Sequence, residues 1–166
     1  MTYEYVDVAI IGAGPGGITA AHHLQRAGIE NFVILERSDE FGGSWRDNVY
    51  PGCACDVQSH LYSFSFAPNP SWTRMYAPAA EIRAYMEDCV DRFGVRAKIR
   101  CGAAVTGAEW DEQAALWRLQ VNGAEELTAR VVIAGLGGLS RPAYPDLSGL
   151  ADFSGPRLPG RGGPPQ

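Results

Sequence analysis

Val6-Asp7-Val8-Ala9-Ile10-Ile11-Gly12-Ala13-Gly14-Pro15-Gly16-Gly17 is the stretch that decides the fold. Its first half is a short apolar, β-branched run with the character of a strand buried on both faces. Its second half fits G-x-G-x-x-G, and Ile18 to Ala27 then reads as a helix that Gly28 is placed to end. A second strand is expected over Asn31 to Glu36, around Phe32-Val33-Ile34-Leu35, which closes a compact βαβ unit. Gly12 permits the tight turn, Gly14 lets the backbone approach a pyrophosphate, and Gly17 allows close helix–strand packing. With Pro15 and Gly16 these residues form a loop in which phosphates would meet free N–H groups and the positive end of the helix.

Glu36 adds a second requirement. It stands at the end of the second strand, about twenty residues past the glycines, where a carboxylate can accept hydrogen bonds from ribose hydroxyls. That carboxylate would repel a 2′-phosphate, so the site suits FAD or NAD better than NADP. Gly42-Gly43-Ser44-Trp45 brings another glycine pair just beyond the acidic residues. A flavin with a long extended tail needs a further close backbone approach, and glycines allow it; an ordinary loop turn is the alternative. On these residues FAD is favoured, with an NAD-dependent dehydrogenase as the competitor.

Between Arg37 and Ala77 no long periodic pattern exists, although the stretch holds Trp45, Tyr50, Tyr62, Phe64, Phe66, Trp72 and Tyr76. A loop of that length is functional or conceals short elements. Pro78 is placed to open a helix to about Phe93, with Ile82, Tyr85, Met86 and Cys89 on one face and Gly94 closing it. A third parallel strand is expected over Val95 to Arg100. An antiparallel meander is expected over Ala103–Trp110, Leu116–Val121 and Glu125–Ala129, with turns at Asp111-Glu112 and Asn122-Gly123. Arg130 to Ala134 is expected as a separate buried strand. The fold class is therefore α/β: a Rossmann-like FAD-binding domain over residues 1–155, with a parallel sheet and a small antiparallel β-meander. Residues 156–166, rich in proline and glycine, are expected to be a disordered tail.

Several function classes drop out. A net charge of −5 and the lack of a basic stripe argue against nucleic-acid binding. No apolar run has membrane-spanning length, and Met1-Thr2-Tyr3-Glu4-Tyr5 lacks the features of a signal peptide, so a cytoplasmic location is the default. Cys53, Cys55, Cys89 and Cys101 have no zinc-like spacing and read as reduced structural thiols, so no metal is expected. His22 and His23 belong to the first helix and His60 to the aromatic loop, which leaves no Ser/His/Asp arrangement for a hydrolase.

Taken in order, Gly12–Gly17, Glu36, Gly42-Gly43-Ser44-Trp45, Tyr50-Pro51-Gly52-Cys53-Ala54-Cys55-Asp56 and His60 to Phe66 resemble the opening of the flavin-binding Baeyer–Villiger monooxygenases. The resemblance runs from about residue 5 to Ser140-Arg141-Pro142 and on to residue 155. It implies that Glu36 binds the adenosine ribose and that Ser44 and Trp45 line the ribityl and pyrophosphate path. Asp56, the one catalytic candidate, would sit near the isoalloxazine and the nicotinamide. Tyr62 would contact FAD, Val105 would touch the adenine through its backbone, and Gly135-Leu136-Gly137 would turn back towards the cofactor. Without the motif, Trp45 and Tyr62 are equally core aromatics, and Asp56 a solvated loop carboxylate or helix cap.

The implied chemistry is reduction of FAD by NADPH, addition of O₂ to give a flavin peroxide, and oxygen insertion beside a ketone carbonyl. Two departures qualify it. Ala54 replaces an arginine common in the family, and the fingerprint Phe-x-Gly-x-x-x-His-x-x-x-Trp begins at Phe153-Ser154-Gly155 but meets Pro159 and Gly163 at its last two positions. No second G-x-G-x-x-G for NADPH exists in the 166 residues, and the resemblance implies a last sheet strand from further downstream, so the sheet is expected to be incomplete. The chain is therefore expected to be a flavin-binding portion inactive alone, with a naturally short non-catalytic nucleotide-binding remnant as the alternative.

Overall fold

The computed structural model describes residues 4–139, 146–150 and 152–155. The expected tail at 156–166 and the Ser140-Arg141-Pro142 match lie outside them. Six strands form one sheet in the order β3-β2-β1-β6-β5-β4. Its parallel part comprises β1 (Glu4–Ile11), β2 (Phe32–Leu35), β3 (Ile99–Arg100) and β6 (Glu125–Ala134), whereas β4 (Val105–Asp111) and β5 (Leu116–Val121) run antiparallel.

The first strand is buried on both faces, as its composition requires. Val8 and Ile10 pack with Ile18 and Ala21 of helix α1 (Pro15–Arg26) and with Ile82 and Met86 of α3 (Ala79–Arg92). Ala9 joins a second cluster made with Leu35, Leu119, Leu127 and Ala129, formed by the meander on the sheet. Two clusters around one central strand are what place the strand ends, and the loops after them, on a rigid base.

Both long helices end at glycines in the left-handed region. Gly28 has φ +76° and Gly94 φ +67°, a conformation that costs a side chain but not a glycine. Past Gly28 the Ile29 N–H returns to the Leu24 carbonyl at 3.0 Å, and past Gly94 the Val95 N–H returns to Val90 at 2.9 Å. The meander turn at Asn122-Gly123 has positive φ at both residues, +55° and +76°, within a three-residue loop between the paired Val121 and Glu125.

Three boundaries differ from the sequence reading. Helix α1 begins at Pro15, three residues before the apolar pattern, because proline suits the first helical position. The expected third strand over Val95 to Arg100 is mostly a 3-10 turn, Arg96–Lys98, with only Ile99–Arg100 paired to β2. The meander's last arm and the following buried strand are one element. Strand β6 runs unbroken over Glu125–Ala134, pairing in parallel with β1 from Glu4↔Leu127 to Ile11↔Ala134 and antiparallel with β5 only from Val121↔Glu125 to Trp117↔Ala129. Pattern alone suggests a break there, since the change from one neighbour to the other is invisible along the chain. No helix among the described residues is long and apolar enough to cross a membrane.

Candidate functional site

The ends of β1, β2 and β6 converge on the glycine loop. Gly12 leaves β1 with φ +99°, and a Cβ there would lie 2.6 Å from the Gly135 carbonyl oxygen. A Cβ on Gly17 would lie 2.0 Å from the Gly12 oxygen. These two glycines are demanded by chain against chain. The other two are not: Gly16 has nothing within 4 Å of its would-be Cβ, and Gly14 meets only the Gly43 Cα at 3.8 Å. The open side of the loop therefore faces away from the fold, and no side chain caps the α1 terminus behind it. This bare cradle fits a pyrophosphate.

Glu36, just beyond β2, is 5% exposed. Its carboxylate accepts the Ala13 N–H at 2.9 Å and the Ser38 N–H at 3.1 Å. The Arg46 guanidinium lies 3.5 Å away and also reaches Asp47 and the Glu40 carbonyl. The acid is thus tied to the glycine loop and held at the strand tip.

The second glycine pair packs against the first. Gly42 donates its N–H to the Ala13 carbonyl at 3.0 Å, and a Cβ on Gly43 would stand 3.2 Å from the Gly14 Cα. Positive φ values, +127° and +56°, make both positions glycine sites independent of any ligand. The sequence reading favoured a flavin tail for this pair with an ordinary loop turn as the alternative, and the backbone angles give the turn its own need for glycine. The short helix α2 (Ser44–Asp47) follows, with Ser44 at its first turn and half-buried. Trp45 meets Tyr62 edge to face, centroids 5.1 Å apart at 88°. Burial pushes the Tyr62 phenol above its usual range, so it is a neutral hydroxyl at ordinary pH.

Asp56 is exposed on a loop whose flanking residues are pinned. Val105 opens β4, half-buried and paired with Val121; two residues earlier the Ala103 N–H donates to the Glu36 carbonyl at 2.8 Å. The expected sites thus fall into one connected group (Gly12 to Gly17, Glu36, Gly43, Ser44, Trp45, Tyr62) and two joined to it through backbone, Asp56 and Val105. His22 is buried, stacked on Phe66 at 3.8 Å, while His23 and His60 are exposed. Among the described residues no cluster of three or more His, Cys, Asp or Glu side chains could hold a metal ion.

Comparison with known proteins bears on what such a cradle belongs to. The NAD(P)-binding Rossmann-like domain family matches residues 10–79. A Baeyer–Villiger monooxygenase of Streptomyces coelicolor is 51% identical over 154 residues, which is 92% of this chain and 29% of that protein. One from Pseudomonas aeruginosa is 49% identical over 152 residues, with the same two shares. In sequence the chain is similar to the N-terminal part of the Baeyer–Villiger monooxygenases. The chain spans about three-tenths of the length of the curated relatives it matches. The solved structure of cyclohexanone monooxygenase from Rhodococcus sp. Phi1 bound to NADP+ superposes with a TM-score of 0.82 at 38% identity, over 93% of this chain and 30% of that one. A complex of OTEMO with FAD and NADP gives 0.80 at 32% identity, over 91% and 29%.

Two residues of the candidate site were missed by sequence reading. Arg46, beside Glu36, is one position past the Trp45 motif and carries no motif signal of its own. Ser59 is an ordinary serine in the sequence but is 2% exposed, with three polar partners.

Proposed function

We propose that this chain supplies the FAD-binding part of an NADPH-dependent monooxygenase that inserts an oxygen atom beside a ketone carbonyl. The observation that carries the reading is the pairing of an open glycine loop with a buried carboxylate 2.9 Å from the loop's Ala13 N–H. Relatives that are Baeyer–Villiger monooxygenases, and a neighbour solved with both FAD and NADP, favour flavin over a plain dehydrogenase cofactor.

In this reading Gly14 and Gly16 admit the pyrophosphate, with Gly12, Pro15 and Gly17 shaping the turn that presents the α1 N–H groups. Glu36 accepts the ribose hydroxyls, and Arg46 neutralises it without displacing it. Ser44 and Trp45 line the path away from the pyrophosphate, Tyr62 backs Trp45, and Val105 offers backbone to the adenine. Asp56 holds a carboxylate at the nicotinamide-facing end. When bound, FAD would pass two electrons from NADPH to O₂, so that ketone, O₂, NADPH and a proton give ester, NADP+ and water. The protein's share is binding, orientation and exclusion of water. With one G-x-G-x-x-G in its 166 residues, the chain by itself is proposed to bind flavin without turning over a ketone.

A titration tests this directly: purified chain, increasing FAD, absorbance and fluorescence as readouts, NAD as competitor. Saturable FAD binding that NAD displaces poorly, and that Glu36→Ala weakens, is expected. No saturable signal, or stronger competition by NAD, overturns the reading.

A further inference from the structure

We propose that Ser59 is a positioning residue: its buried hydroxyl clamps the 53–62 loop to residues 74–79 and thereby holds Asp56 in place. The inference rests on the flavin-binding reading above and adds a residue to it.

Residues 53–59 and 74–79 are stitched together by a short irregular ladder. The Ala79 N–H donates to the Cys53 carbonyl at 2.9 Å, the Cys55 N–H to Ala77 at 3.0 Å, and the Ser59 N–H to Met75 at 2.7 Å. Between the second rung and the third the chain bulges out, and Asp56, Val57 and Gln58 are exposed. Across that bulge the Ala77 N–H, in a residue with no exposed surface, has the Ser59 Oγ at 2.8 Å as its acceptor. The same oxygen lies 2.8 Å from the Arg74 carbonyl and 2.9 Å from the Met75 carbonyl, which share its single proton. A side chain here replaces the backbone rung that the bulge removes. The Asp56 carboxylate therefore projects from a segment fixed at both ends.

Ser59 also links Asp56 to the aromatic part of the site. Its carbonyl accepts the Tyr62 N–H at 2.8 Å, and the Tyr62 ring is the one that meets Trp45. Removal of the hydroxyl leaves the buried Ala77 N–H without its acceptor and the Arg74 carbonyl without this donor, while the Met75 carbonyl keeps the Ser59 N–H, and the cheapest relief is for the loop to lift and admit water. That movement shifts Asp56 and Tyr62 while leaving the two hydrophobic clusters intact.

The test compares wild type, Ser59→Ala, Ser59→Thr, Asp56→Asn and the double variant Ser59→Ala/Asp56→Asn. The readouts are amide hydrogen exchange without FAD, FAD affinity, and the visible circular dichroism of bound flavin. Ser59→Ala is expected to speed exchange over 53–62 and 74–79 but not in β1 or α1. It should weaken FAD about tenfold, the scale of one buried hydrogen bond, and shift the flavin dichroism to that of Asp56→Asn. The double variant should be no worse than the single ones, a coupling that a merely structural serine would not show, and Ser59→Thr should restore the wild-type signals. Additive losses with unchanged dichroism overturn the proposal. If wild type takes up no FAD, the flavin reading fails by itself, and unchanged exchange over 53–62 in Ser59→Ala then overturns the clamp. If Ser59→Ala does not fold, Ser59→Thr decides alone: local exchange and dichroism unlike wild type overturn the assignment.

Discussion

Gly43 lies against Gly14 so closely that a Cβ on Gly43 would stand 3.2 Å from the Gly14 Cα. The two glycine motifs are therefore one object: the second supports the first from behind, and the first keeps its outer side open. Gly43 has φ +56° and ψ −132°, a backbone region that only glycine occupies cheaply. Gly43→Ala is expected to cost about 1–3 kcal/mol of stability and to weaken FAD by pushing Gly14 into the pyrophosphate space. Thermal melts and the FAD titration check it together; an unchanged Tm would show that the loop relaxes.

The four motif glycines are not equivalent. A methyl at Gly17 meets the Gly12 oxygen at 2.0 Å, whereas one at Gly16 meets nothing within 4 Å. Gly17→Ala is expected to lose more than about 3 kcal/mol, enough to unfold a marginal domain. Gly16→Ala, in the first turn of α1, should leave stability unchanged within about 0.5 kcal/mol. Side-by-side denaturant melts compare them, and equal effects would mean that helix packing does not set the motif.

Glu36 has a structural duty as well as its proposed ribose contact. In Glu36→Ala the Ala13 N–H, now bonded at 2.9 Å, is left buried without its acceptor, at about 1–3 kcal/mol. Glu36→Gln keeps a carbonyl oxygen for that N–H and loses the charge facing Arg46. Its NH2 group then faces the Ser38 N–H and Arg46, both donors, so the Gln variant is expected to melt between Glu36→Ala and wild type and to bind FAD more weakly. A Gln variant with wild-type FAD affinity would remove the charge from the binding argument.

His22 should set the acid side of stability. Burial holds its imidazole below the usual 6.5, with His23 and Arg26 nearby adding to the effect, and its Nε2 has no hydrogen-bond partner among the described residues. A base whose pKa is lower folded than unfolded stabilises the fold above the unfolded value. That contribution is lost as pH falls below 6.5, where the unfolded chain takes up the proton first. His22→Phe keeps the stack on Phe66 and is expected to gain about 1–2 kcal/mol at neutral pH and to flatten the decline on the acid side. Tm measured at pH 7.5 and 5.5 checks this; parallel pH dependences would exclude His22.

Strand β6 carries an open half-edge. Its pairing with β5 ends at Trp117↔Ala129, while residues 130–134 have β1 on one side and no strand on the other among the described residues. Val131 there is 49% exposed. An apolar edge with unpaired N–H and C=O groups recruits further strands, so the isolated chain should self-associate as concentration rises. Val131→Lys should reduce that in sedimentation velocity. A monomer at every concentration for wild type would show the edge to be covered.

The amino-acid sequence determined the βαβ opening, both long helices with their glycine ends, and the glycine loop that follows the first strand. Those features depend on neighbours along the chain: a two-residue or 3.6-residue period, a glycine where φ must be positive, an acid one strand further on. Tertiary structure decided the rest. That β6 is one strand serving two neighbours and that Gly43 backs Gly14 are contacts between segments far apart in the chain. So are the placement of Arg46 beside Glu36 and of Ser59 across the bulge carrying Asp56. An arginine or a serine has no period and no required backbone angle, so what it bonds to is settled only when the chain brings its partner within about 3 Å.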